Sequence, residues 1–186
     1  MAVQIDKWVF TVDEYHRMAE TGILSENARV ELIEGEIIRM SPIGRNHAGS
    51  VNRLATVLIK KIDKDATVSI QTPVRLDDYS EPQPDIALLK YRDDYYTQVA
   101  TTAESVLLII EVSDSSLDFD RKVKVPLYAK NGIPEVWLKV VSRDRIEGYS
   151  KPINGKYESF RIIERGESIS PEMLPTLVLT ADEILG

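Results

Sequence analysis

The chain contains no cysteine. Disulfides, thiolate nucleophiles, iron–sulfur clusters and cysteine-ligated zinc are therefore excluded, and a reducing, cytoplasmic setting is expected. Histidine is nearly as scarce: His16 and His47 are too few for a dedicated zinc site. No glycine-rich phosphate loop of the P-loop or dinucleotide type occurs, so no organic cofactor is expected. Apolar runs stay well short of the roughly 18 residues of a membrane span, and residues 1–8 lack the basic-then-apolar order of a signal peptide. We expect no membrane association. A surplus of positive charge is missing too, with 23 Lys and Arg against 30 Asp and Glu and a formal net charge of -7. Contact with nucleic-acid phosphate normally selects a basic footprint. It would have to come from local patches such as Lys60-Lys61 or Arg121, Lys122, Lys124 and Lys130.

What is present is ordinary for a folded protein. A hydrophobic fraction of 43% and a charged fraction of 28% over 186 residues fit one well-cored domain, residues 1–186, without linker or repeat. Thr11 and Glu14 have capping-box spacing, which predicts a short helix to about Glu20. Residues 29–40 alternate polar and apolar on both sides of Glu34-Gly35, as a hairpin does. Val51, Leu54, Ala55, Leu58, Ile59 and Ile62 repeat at helical spacing, with His47 at that helix's N-terminal end. Residues 68–76 read as a strand, 77–84 as a loop and 86–89 as a second strand. The run Val106 to Val112 reads as a strand covered on both faces. A helix from Ser115 or Ser116 to Asn131-Gly132, kinked by Pro126, leads to a strand over 135–141. A hairpin turning at Asn154-Gly155 and a short helix opened by Thr180 complete the chain. The order predicts a mixed α/β or α+β fold, with residues 106–141 forming a parallel pair joined by a crossover.

Two carboxylates stand out. Asp85 enters one strand and Glu111 closes five consecutive apolar residues, where a charge is costly unless a cation compensates it. Hard divalent cations take oxygen ligands of this kind. The candidate to join them is Lys124, which shares a helical spacing of four with Asp120 and Tyr128. Glu31, on a hairpin strand expected to face solvent, His47, Gln71, expected on a central strand, and Tyr128 are possible accessory residues. A Ser113–His47–Asp85 triad is conceivable by composition, but no nucleophile elbow surrounds Ser113.

Taken together, Leu32-Ile33-Glu34-Gly35-Glu36, Met40-Ser41-Pro42, His47, Pro84-Asp85, Ile110-Glu111-Val112-Ser113 and Lys124-x-x-x-Tyr128 before Gly132-Ile133-Pro134-Glu135-Val136-Trp137 resemble the Uma2 family over residues 8 to 180. The resemblance implies a restriction-endonuclease-like fold, a central mixed sheet flanked by helices, with an N-terminal helix and hairpin and a C-terminal hairpin added. It implies a Mg²⁺-dependent (or Mn²⁺-dependent) endonuclease acting on DNA, with Asp85, Glu111 and the Val112 carbonyl as metal ligands and a homodimer as the working unit. The superfamily lysine would stand at 113, where this chain has Ser113; Lys124 would supply it from the next helix. The alternative is a nuclease frame without catalysis, serving nucleic-acid binding or assembly.

Overall fold

The computed structural model describes residues 7–25 and 27–186. Helix α1 (Val12–Glu20) opens on the expected capping box, with the Thr11 and Glu14 side chains each bonded to the other's backbone N–H. Strands β1 (Val30–Ile33) and β2 (Glu36–Arg39) form a separate antiparallel hairpin. Its two turn residues both have positive φ, 48° at Glu34 and 78° at Gly35, as a tight hairpin turn requires. Gly35 also has no room for a side chain, since a Cβ there would lie 2.5 Å from the Val9 Cβ. Helix α2 (Arg45–Lys61) follows, burying Val51, Leu54, Ala55 and Leu58.

The main sheet has six strands in the order β3-β4-β5-β6-β7-β8: β3 (Ala66–Ile70), β4 (Ile86–Lys90), β5 (Val106–Ser113), β6 (Glu135–Val140), β7 (Arg145–Ile153) and β8 (Lys156–Ile163). All pairs are antiparallel except β5 and β6, the parallel pair that the crossover predicted. The hairpin of β7 and β8 turns at Asn154 and Gly155, both at positive φ. Short strands β9 (Ser168–Ile169) and β10 (Leu179–Thr180), absent from the sequence reading, pair before helix α5 (Ala181–Leu185).

The strand expected over 68–76 is corrected. β3 stops at Ile70 because Gln71 turns left-handed, φ 48°, and bonds its N–H to the Asp85 carbonyl. Gln71 therefore sits just past the end of an edge strand, not on a central one. The helix over 117–130 is also less regular than its spacing suggests. Between α3 (Leu117–Phe119) and α4 (Val125–Lys130), residues Asp120–Lys124 wind as one π-helical turn. Pro126 lies at the start of α4, where its missing N–H is tolerated. The wider turn before it replaces the sharp kink that a proline forces on a regular helix.

All eight residues of β5 are buried, and their alternation assigns the two faces. Ile110 and Val112 join the core beneath α2 and α5, with Leu54, Leu58, Trp137 and Ile184. Ile109 joins the core beneath α4, with Tyr128, Val136 and Leu138. Glu111 and Ser113 keep Ile109's parity and so face the 117–130 helix.

Candidate functional site

Register alone brings the two carboxylates together. Antiparallel pairing sets Ile86 opposite Ile110, so Asp85 falls beside Glu111, and the Asp85 N–H donates to Glu111 Oε2 at 3.2 Å. Asp85 Oδ2 accepts from the Val112 N–H at 2.9 Å. Its Oδ1 faces His47 Nε2 at 2.9 Å and accepts from Gln71 Nε2 at 3.3 Å. These bonds hold the aspartate at the rim of a cleft of about 360 Å³, whose lining includes Glu31, His47, Glu111, Asp120 and Lys124.

Lys124 reaches the site. Its Nζ lies 3.1 Å from Glu111 Oε1 and 3.1 Å from Glu31 Oε2, and the residue is only 4% exposed. The π-helical turn supplies it: the helical segment runs beneath the face of β5 that carries Glu111, and Lys124 closes the widened turn. Tyr128, one turn on, donates its hydroxyl to Glu111 Oε1 at 2.7 Å. Glu31 was expected on a solvated strand face and is instead 4% exposed. The β1–β2 hairpin packs against the site, so Glu31 accepts from the Gln83 N–H at 3.1 Å as well as pairing with Lys124.

Electrostatics follow from this burial. Burial pushes the Glu111 carboxyl up to about 8, against the opposing pull of Lys124. Burial alone would lower the Lys124 pKa, but the charges of Glu111 and Glu31 outweigh it and hold the ammonium protonated. Burial and the neighbouring Glu111 raise Tyr128 well above its ordinary value. The hydrogen bond to Asp85 raises His47. Since His47 Nδ1 faces the Val112 carbonyl at 3.0 Å, that nitrogen must carry a proton. With that proton on Nδ1, Nε2 donates to Asp85 only in the imidazolium form, which the raised pKa favours.

Two residues had a stronger role than their sequence context suggested. Asp120, marked in the sequence only by its spacing from Lys124, is 4% exposed and accepts from Ser113 Oγ and Ser116 Oγ, both at 2.7 Å. Ser113 is thereby committed to Asp120, and no Ser113–His47–Asp85 triad exists. Gln83, which the sequence did not single out, anchors Glu31 with its backbone and Gln71's carbonyl with its side chain. Only its nearness to Asp85 could have marked it.

The residues fit a divalent cation in charge and donor type. Glu31, Asp85, Glu111 and Asp120 carry four carboxylates, while Lys124 and protonated His47 supply two positive charges. Two uncompensated negative charges remain in a buried cluster when all four are ionised. Mg²⁺ needs only one or two protein carboxylates besides water and substrate oxygen. Among the described residues there is no preformed cage of three or more His, Cys, Asp or Glu ligands. The imidazole of His47 lies between Asp85 Oδ1 and the Val112 carbonyl, two of the three expected ligands, so a cation bridging them would have to displace it.

A central mixed sheet of six strands flanked by helices gives this chain a nuclease-like α/β fold. The structure resembles the crystal structure of a protein from Anabaena variabilis described as a "putative nuclease belonging to DUF820", with a TM-score of 0.73 and 16% identity, covering 95% of this chain and 97% of that one. The chain belongs to the Uma2 family, whose profile, described as "putative restriction endonuclease", matches residues 12–182. Among curated proteins no sequence matches it.

Proposed function

We propose that the chain is a Mg²⁺-dependent endonuclease that hydrolyses phosphodiester bonds in DNA. The observation that carries this reading is the contact of Lys124 Nζ with Glu111 and Glu31: a lysine from the helix takes the place that Ser113 leaves empty of charge. Asp85 and Glu111 are the carboxylates that would hold the cation, with the Val112 carbonyl as a third oxygen once His47 moves aside. Bound Mg²⁺ would lower the pKa of a water and polarise the phosphate.

The chain's own residues do the rest. Lys124, anchored on two carboxylates, presents a fixed ammonium to charge developing on the phosphate. Tyr128 and the Asp85 N–H set the two Glu111 oxygens. Gln71 and the Val112 N–H orient Asp85, and Gln83 holds Glu31 where it steadies Lys124. Arg29 and Arg39 line the mouth of the cleft, and among the described residues neither has a carboxylate within ion-pair distance, which suits an anionic strand.

The test is cleavage of plasmid DNA by purified protein in Mg²⁺. Asp85→Ala should abolish it, and survival of cleavage in that variant would disprove the assignment. The placement of His47 between the ligands favours a second reading, a nuclease frame that binds without cutting. Wild-type protein that binds DNA but does not cleave it in Mg²⁺ or Mn²⁺ would establish that reading instead.

A further inference from the structure

A second cavity, of about 520 Å³, lies along edge strand β3, and the nuclease site makes no use of it. Its lining includes Thr67 and Ser69 of the strand, His16 and Glu81, and the exposed ring of Tyr95. No residue lines both this cavity and the cleft, but chain neighbours connect them. Ile70, Thr72 and Pro73 line the cavity, while Gln71 between them bonds Asp85. Likewise Glu81 lines the cavity and Gln83, two residues on, lines the cleft.

We propose that this cavity is a subsite for one unpaired base of the substrate strand, next to the scissile phosphate. The proposal rests on the nuclease reading of the cleft. The chemistry of the lining selects the occupant. No lysine or arginine lines the cavity, and its His16 and Glu81 face each other at 2.6 Å, so it does not suit a phosphate; the remaining aromatic rings, hydroxyls and apolar atoms suit a neutral heterocycle. Thr67 lines the cavity and its Oγ1 is buried without a hydrogen-bond partner, so a turn about χ1 is what would offer the hydroxyl to a base edge. Tyr95 is 67% exposed, and both it and Tyr96 have positive φ, 50° and 63°, which non-glycine residues seldom adopt. The turn that imposes this is tied down by Asp94, which accepts from Arg92, and by Tyr96, whose hydroxyl donates to the Lys90 carbonyl at 2.7 Å. A strained, anchored turn that displays one aromatic ring at a cavity mouth supports stacking. A base held in a duplex cannot enter, so the strand must be single or locally opened.

The experiment is equilibrium binding, in EDTA, of a single-stranded oligonucleotide carrying 2-aminopurine and of the matching duplex, followed by cleavage of both in Mg²⁺. We expect the single strand to bind at least tenfold more tightly than the duplex, with quenched 2-aminopurine fluorescence. Tyr95→Ala should weaken that binding about tenfold, the scale of one lost base–aromatic stack, and raise KM at unchanged kcat, while Tyr95→Phe binds as wild type. Thr67→Val should also weaken binding, with no loss of stability, because its hydroxyl has no partner to lose. Equal binding of duplex and single strand, or wild-type binding by Tyr95→Ala, overturns the subsite. Asp85→Asn separates the two claims: it should stop cleavage and preserve binding. Cleavage by that variant would refute the nuclease centre and leave the subsite to be judged on binding.

Discussion

Replacing Lys124 by Met tests the ion cluster at the base of the cleft. The substitution keeps the length and apolar stem of the side chain, so it leaves little cavity, but it removes the one charge touching both Glu31 and Glu111 at 3.1 Å. All three residues are at most 4% exposed, so water cannot take over. Breaking a buried pair from one side typically costs about 3–5 kcal/mol. Here the loss depends on pH, because a stranded carboxylate can take up a proton instead. Glu111 is already pushed up to about 8 by burial, and removing Lys124 pushes it higher. A carboxyl whose folded pKa exceeds its unfolded value contributes stability that is full at low pH and is lost as pH rises through the folded pKa. Lys124→Met should therefore lose little at pH 5, with the extra loss setting in above about pH 8 and growing until the variant's higher Glu111 pKa is passed, equivalent at full size to a Tm drop of about 10 °C. Urea titration at the two pH values measures it. Adding Glu111→Gln should restore part of the loss at high pH. A loss below about 1 kcal/mol at every pH, or one of the same size at pH 5 and pH 9, would refute the buried cluster.

Three further outcomes can be measured. Glu111 must ionise to bind a cation, so Mg²⁺ affinity by isothermal calorimetry should rise steeply as pH increases through about 8; a flat profile between pH 6 and 9 would contradict that. Burial pushes Lys139 down to about 8, although its Nζ donates to the Leu185 carbonyl at 2.8 Å. Its folded pKa is below its unfolded value, so wild-type stability should gain from Lys139 between about pH 8 and 10.5, and Lys139→Met should flatten that rise in thermal melts. We also propose a homodimer as the cutting unit, which sedimentation of the purified protein should show as twice the monomer mass; a monomer throughout would contradict it.

Local chemistry made much of the fold legible. Thr11 with Glu14, and Thr180 with Glu183, form capping boxes set by neighbours three residues apart, and both hairpin turns carry a glycine at positive φ. The continuous apolar run before Glu111 marked the buried strand β5. What escaped depends on contacts distant in sequence. Alternation along the first hairpin could not show that Glu31 would face Lys124, because the hairpin forms its own small sheet and buries that residue against another element. The end of β3 was missed because Gln71 is a non-glycine residue in a left-handed turn, held there by Asp85. The spacing of Asp120, Lys124 and Tyr128 grouped three residues on a regular helix, whereas a π-helical turn brings Lys124 to Glu111. His47 was visible as a helix-opening residue, whereas its bridge between Asp85 and Val112 exists only in the folded sheet.

The most direct test of the catalytic assignment is a Mg²⁺ titration of wild-type protein and Glu111→Gln, with DNA cleavage measured on the same samples. Wild type should bind the ion and cleave, and Glu111→Gln should lose both while keeping its fold by circular dichroism. Wild-type binding and cleavage in the folded Glu111→Gln protein would contradict the assignment.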